Sequence, residues 1–149
     1  LVWKAWTEPA RLSAWWGPKG FAWARGTMDL RPGGIFHYGM TAPDGKTTMW
    51  GRFVYREVVE PSRLAFVVSF SDENGGVTRH PMAADWPLEI LNVLTLEASG
   101  GRTTLTLEGW PLHASESERR AFEGGIGSME KGFAGTFGQL VAYLATAVA

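Results

Sequence analysis

The sequence contains no cysteine, which excludes disulfides, thiol nucleophiles, thiolate zinc sites and iron–sulfur clusters. Charge is sparse: Asp, Glu, Lys and Arg make up 19% of 149 residues, below the roughly 25% of an average soluble domain. Neither sign dominates, since 14 Lys plus Arg against 15 Asp plus Glu leave a formal net charge of −1. That balance argues against a nucleic-acid partner held by phosphate contacts. It also supplies no polybasic attraction to membranes. No apolar run approaches the roughly 20 residues that a membrane-spanning helix requires. The first residue is Leu1 rather than methionine, with no secretory pattern before the helix-like run Leu1-Val2-Trp3-Lys4-Ala5-Trp6. The expectation is a soluble cytoplasmic domain whose natural N-terminus lies upstream of this record.

Aromatic residues and glycine are abundant instead. Eight Trp, eight Phe and three Tyr account for 13% of the chain, and there are 19 Gly. Such a composition suits a tightly packed β-rich core, and it equally suits a cavity with aromatic walls.

Thr7-Glu8-Pro9 reads as a helix start, with a capping hydroxyl and a proline in the first turn. Leu12, Trp15 and Trp16 then share one helical face, and Gly17-Pro18 ends the element. Strand-like segments follow, punctuated by Pro32-Gly33-Gly34, Pro43-Asp44-Gly45, Asn74-Gly75-Gly76 and Ser99-Gly100-Gly101. Six strands are predicted, over 22–30, 35–41, 47–59, 63–71, 88–98 and 102–109. Alternation places Phe36, Tyr38 and Met40 on one face, as it does Met49, Gly51, Phe53 and Tyr55. Leu64, Phe66, Val68 and Phe70 share a face, and so do Leu105 and Leu107. The pattern is that of an antiparallel sheet with one buried face. The 88–98 segment is apolar on both faces, which leaves its parity open.

The last segment reads as one long helix over 115–147. Ser115-Glu116-Ser117-Glu118 matches a capping box. Phe122, Ile126, Met129, Phe133, Phe137, Leu140 and Leu144 then form a single apolar stripe. The same helix carries Gly124, Gly125, Gly127, Gly132, Gly135 and Gly138, at a cost on the order of 5–6 kcal/mol relative to alanine. Gly125 and Gly132, at the stripe's edge, are expected to permit close packing on the sheet; the alternative is a bend near 124–127 that admits a ligand. The residues alone thus give an α+β class, an antiparallel sheet with a terminal amphipathic helix packed on it. No internal repeat or linker suggests a second domain.

Several runs resemble a known family. They are Ala5-Trp6-Thr7-Glu8-Pro9 with Leu12, Trp15-Trp16-Gly17-Pro18-Lys19-Gly20-Phe21, and Asp29-Leu30-Arg31-Pro32-Gly33-Gly34. Further along come Pro43-Asp44-Gly45, Gly51 to Val59, Arg63-Leu64 and Ser128-Met129-Glu130-Lys131-Gly132-Phe133. In order and spacing they resemble the Hsp90-ATPase-activator-homologue branch of the START-like (SRPBCC) superfamily, across nearly the whole chain. The resemblance implies a helix-grip fold, a curved antiparallel sheet wrapped around a long C-terminal helix with an apolar cavity between them, and short helices near the N-terminus. It implies one START-like domain over 1–149. It also implies a first strand that this sequence lacks, which is expected to have been lost by truncation. The eukaryotic co-chaperone relies on a further domain for Hsp90 activation, so an Hsp90-type chaperone partner rests on the family resemblance alone.

Phe36, Tyr38, Met40, Phe53, Phe66 and Val68 occupy like-facing strand positions opposite Met129, Phe133 and Phe137 of the helix. They are read as the walls of a pocket for a small apolar or aromatic molecule, or else as a filled core. Tyr38 is the polar handle of the set. His37, His80 and His113 are widely separated and lack metal-ligand spacing, so no metal or other cofactor is expected. There is no catalytic motif. Arg52, Glu57 and His37 are the acid–base candidates: Arg52 and His37 oppose the aromatic face, whereas Glu57 shares parity with Phe53 and Tyr55. The loop over 78–87 is apolar for a loop, a lid or a packed surface segment, with His80 and Asp85 as its ionic pair. A ligand-binding module is the leading reading. A co-chaperone-like interaction domain and a cyclase- or dehydratase-type cavity enzyme are the alternatives. A homodimer is hinted at only by the glycine-lined back of the last helix.

Overall fold

A computed structural model describes residues 1–18, 20–81 and 83–147. Lys19 of the family-like run and Met82 of the 78–87 loop lie outside the described residues. Two short helices open the chain, α1 (Val2–Thr7) and α2 (Pro9–Leu12). The junction differs from the predicted cap: Thr7 ends α1, its hydroxyl donating back to Trp3 O at 2.8 Å, and Glu8 takes the N-cap position of α2. Pro9 holds the first helical position as expected, where its missing N–H costs nothing. Trp15 and Trp16 fall in the turn after α2, with Trp15 buried and Trp16 half-buried.

Seven strands form one curved, unclosed antiparallel sheet. They are β1 (Ala22–Met28), β2 (Ile35–Thr41), β3 (Thr48–Val59), β4 (Arg63–Ser71), β5 (Val77–Thr78), β6 (Glu89–Ser99) and β7 (Arg102–Leu112). The order is β1-β2-β3-β4-β6-β7, with the two-residue β5 paired to β4 off this path. β5 was hidden within the predicted loop. It forms because Asn74-Gly75-Gly76 turns tightly, with the Asp72 carboxylate accepting from Asn74 N and Gly76 N at 2.8 and 2.9 Å.

Register settles the open parity of β6. Leu64, Leu94 and Leu107 align across β4, β6 and β7, and Phe66, Asn92 and Gly109 form the neighbouring row. Ile90, Asn92, Leu94 and Leu96 therefore share the inner face. A shift of register between Tyr55 and Glu57 corrects a second expectation. It pairs Glu57 with Ala65, so Glu57 leaves the face of Phe53 and Tyr55 and bonds Arg63 on the outer side at 2.7 Å.

The predicted single terminal helix is two, α3 (Glu116–Gly124) and α4 (Ile126–Thr146), separated at Gly125. The expectation of close glycine packing on the sheet is not met. A Cβ at Gly125 would meet the Trp86 ring of the loop at 2.7 Å, whereas one at Gly132 would meet nothing within 4 Å. The capping box is present: Ser115 Oγ accepts from Glu118 N at 3.1 Å, and the Glu118 carboxylate accepts from Ser115 N at 2.9 Å.

Glu118 also pairs with Arg79 at 2.6 Å, tying α3 to the 78–87 loop. The Ser115 N–H and the Arg79 guanidinium hold its carboxyl down from an ordinary 4.5 to about 2. A depressed folded-state pKa stabilises the fold above the unfolded value and ceases to do so as pH falls through the folded one. The contribution is therefore present above pH 4.5 and lost as pH drops toward about 2. Thermal melts across that window should show a shallower decline for Glu118→Gln than for the native chain. Parallel declines would assign the acid sensitivity to other carboxylates.

Candidate functional site

The inner face of the sheet is covered in two different ways. Over β1–β4 it is filled. Trp6, Trp15 and Trp16 pack ring on ring, and they reach the sheet through Trp6–Phe66 at 6.4 Å and Trp16–Phe53 at 5.3 Å between centroids. Phe53 stacks on Phe66 at 4.5 Å and meets Phe36 edge-on at 5.2 Å. Over β6 and β7 the aromatic layer gives way, among the described residues, to Leu94 and Leu96 of the core cluster and then to the half-buried Ile90, Leu105 and Leu107, which face the last two helices.

Helix α4 is held at its C-terminal half by the turn after α2. Gly17 O accepts from Gln139 Nε2 at 2.8 Å and from Thr136 Oγ1 at 3.3 Å. Trp15 O accepts from Gln139 Nε2 at 3.2 Å, and Arg11 donates to the Tyr143 hydroxyl at 3.3 Å. The other end is held where Trp86 lies against Gly125 and meets Phe122 at 5.5 Å. The apolar stripe divides accordingly. Phe137, Leu140 and Leu144 join the core cluster, whereas Phe122, Ile126, Met129 and Phe133 stand outside it.

Between these supports lies a cavity of about 730 Å³. Its sheet side is Val68 of β4, Ile90 and Asn92 of β6, and Thr103, Leu105, Leu107 and Gly109 of β7. Its helix side runs from Phe122 through Met129, Phe133 and Phe137 to Leu144. Val2 of α1 closes one end. A volume of this size lies within the range of small-molecule sites, and its walls are almost entirely apolar. No Lys, Arg or His lines it among the described residues, and the single ionisable lining group is the exposed Glu130.

Among the polar residues of the wall, Thr103 and Glu130 are exposed and Asn92 is buried. Asn92 is 8% exposed, and its side-chain amide makes no hydrogen bond to any described residue. The amide sits over Gly109, directly opposite on β7, where an added Cβ would come within 2.9 Å of Asn92 Oδ1. The side-chain atoms sealed from solvent without a partner are Trp6 Nε1, Arg52 Nε and Tyr55 OH among the described residues; the Asn92 amide is not one of them and is open to the cavity it lines. The amide can both donate and accept.

The nine residues named from the sequence divide between the two halves. Val68, Met129, Phe133 and Phe137 line the cavity. Phe36, Phe53 and Phe66 are fully buried in the filled layer. Tyr38 and Met40, with Val68, border a second pocket of about 80 Å³ beside Trp86. Burial pushes the Tyr38 phenol up, partly offset by a hydrogen bond with Trp16. Tyr55 is likewise pushed up by burial, and its hydroxyl is without a partner. The lining of β6 and β7 was not named as site from the sequence; the alternation of Leu105 with Leu107, and an Asn inside an apolar strand, were its available signals.

The acid–base candidates are remote from the cavity. His37 Nε2 bonds Asp72 O at 3.0 Å and its ring stacks on Trp50 at 5.3 Å, on the outer face. Arg52 donates to Gly75 O at 3.0 Å. In the 78–87 loop, His80 packs against Phe70 and Trp86, and Arg79 pairs with Glu118 of α3. No cluster of three or more His, Asp or Glu among the described residues could hold a metal ion. No helix among them is long and apolar enough to cross a membrane.

A sheet that grips a C-terminal helix, with an apolar chamber left between the two, defines a helix-grip domain. The chain belongs to the Activator of Hsp90 ATPase homolog 1-like protein family, whose profile it matches over residues 1–145. Among solved structures, a protein of Mycobacterium smegmatis is similar at 28% identity and a TM-score of 0.72, over 99% of this chain and 84% of that one. A protein of Arthrobacter aurescens is also 28% identical, at a TM-score of 0.75, over 99% of this chain and 79% of that one. A Silicibacter pomeroyi protein described as AHSA1 shares the fold at 21% identity and a TM-score of 0.67, over 97% and 88% of the two chains. No curated protein matches the chain.

Proposed function

We propose that the chain, acting as one START-like domain, binds a small apolar molecule between β4, β6, β7 and the last two helices. The carrying observation is the chamber of about 730 Å³, walled mainly by Leu, Ile, Val, Phe and Met side chains and without a cationic lining group among the described residues. Apolar walls that close-packing would otherwise eliminate gain by contact with an apolar ligand, at about 25 cal/mol per Å² removed from water. Binding is favoured over catalysis because no carboxylate or imidazole among the described residues is buried in the chamber. It is favoured over a purely surface-docking role because the cleft, open at Ile126 and Val141, reaches inward to the buried Asn92 and Leu140.

The test uses 1,6-diphenyl-1,3,5-hexatriene, a hydrocarbon fluorophore that is dark in water and bright in an apolar cavity. Saturable one-to-one fluorescence, and a matching adduct in native mass spectrometry, are expected. A protein purified from its own host should also carry a stoichiometric adduct that is lost on denaturation. Absence of both signals would overturn the proposal and turn the search to protein partners.

A further inference from the structure

The chamber has a floor as well as walls, and its chemistry selects among apolar ligands. We infer that Asn92 is the head-group site of the chamber, and that the ligand is an apolar molecule with one uncharged hydrogen-bonding head, such as an alcohol, phenol or amide. The inference deepens the binding reading above and rests on it.

Three observations carry it. Asn92 is more than nine-tenths buried, lines the chamber and has no hydrogen-bond partner among the described residues. The amide is open to the chamber rather than sealed in the core, and a polar group this far inside a folded protein is normally satisfied. The position opposite is Gly109, whose missing side chain leaves room for the Asn92 amide; a Cβ there would press on Oδ1 at 2.9 Å. Finally, the row Phe66–Asn92–Gly109 places the amide at the border between the filled layer and the chamber. A head group bonded there leaves its tail to run over Leu105 and Leu107 beneath Met129 and Phe133.

The absence of a cationic group among the described lining residues argues against an anionic head. A carboxylate buried here would meet no Lys, Arg or His among the described residues, and the ionisable group that does line the chamber, Glu130, is itself acidic. A buried anion without a counter-charge is strongly disfavoured, whereas a neutral head that both donates and accepts matches a primary amide at little cost.

Displacement of diphenylhexatriene by 1-decanol and by decanoate tests this, because the fluorophore has no hydrogen-bonding group and reports the chamber alone. In the native chain, decanol should displace it at a concentration at least tenfold below that needed for decanoate. Asn92→Leu should raise the ratio of the decanol to the diphenylhexatriene dissociation constant about tenfold, because leucine removes the head-group partner and keeps an apolar wall. Gly109→Ala, which crowds the amide from the neighbouring strand, should weaken decanol about threefold and serves if the Leu variant does not fold. If the fluorophore binds but decanoate competes as well as decanol, or decanol ignores a folded variant, the head-group assignment is overturned and the chamber stands. Failure of the native chain to bind the fluorophore overturns both.

Discussion

Trp6→Ala is expected to lower the midpoint of thermal unfolding by about 10 °C. The indole is 1% exposed and joins three parts of the molecule. It meets Trp15 at 4.8 Å, Phe66 of the sheet at 6.4 Å and Phe137 of α4 at 6.3 Å. Truncating a buried aromatic to alanine costs about 3–5 kcal/mol, and each kcal/mol moves the midpoint by roughly 2–4 °C at this chain length. Trp6→Phe separates area from polarity. Trp6 Nε1 is buried with no partner, so phenylalanine removes an unsatisfied donor along with some surface. Its loss should be less than half that of alanine. Melts followed by circular dichroism measure both, and equal losses would show that the ring's shape rather than its burial is what counts.

Phe133→Asp is expected to reduce diphenylhexatriene affinity at least tenfold while moving the melting midpoint by only a few degrees. Phe133 lies in the middle of α4, lines the chamber, and contacts Phe137 at 5.6 Å without belonging to the core cluster. Losing about 60 Å² of apolar contact with a ligand is worth about 1.5 kcal/mol, close to a factor of ten. A carboxylate in the wall adds a desolvation cost whenever an apolar ligand enters. A larger ring at 133 would be a weaker probe, since an indole fills only a small part of about 730 Å³. Unchanged affinity in the folded Asp variant would mean that the ligand sits elsewhere.

Strand existence and facing were legible because turn clusters and two-residue alternation are local signals. Phe36, Phe53 and Phe66 do share a face, as alternation implied. What alternation cannot carry is which half of that face the N-terminal helices cover, because that depends on contacts such as Trp16 on Phe53, distant in sequence. Hence Phe36 and Met129 looked equivalent in sequence, yet one lies in the filled layer and the other in the open one. Glu57 was misplaced for a similar reason. A single irregular pairing after Tyr55 inverts every later side chain of β3, and nothing in Tyr55-Arg56-Glu57 announces it. The glycines of the last helix were ambiguous between packing and bending, and at Gly125 the ring of Trp86 decides the matter.

Helix α4 behaves, in engineering terms, as a beam on two abutments. One abutment is the carbonyl of Gly17, and the other is the indole of Trp86 at the start of the helix. Thr136 is ten residues beyond Ile126, an unsupported span of roughly 15 Å at the helical rise. The clearance beneath that span is set by the height of the two supports, both of which belong to loops. The chemistry offered to a ligand is set by the strands below. Loop changes near residues 17 and 86 would therefore alter the size of molecule accepted, and strand changes at 92 and 109 its head group. Relatives could diverge in one property while keeping the other.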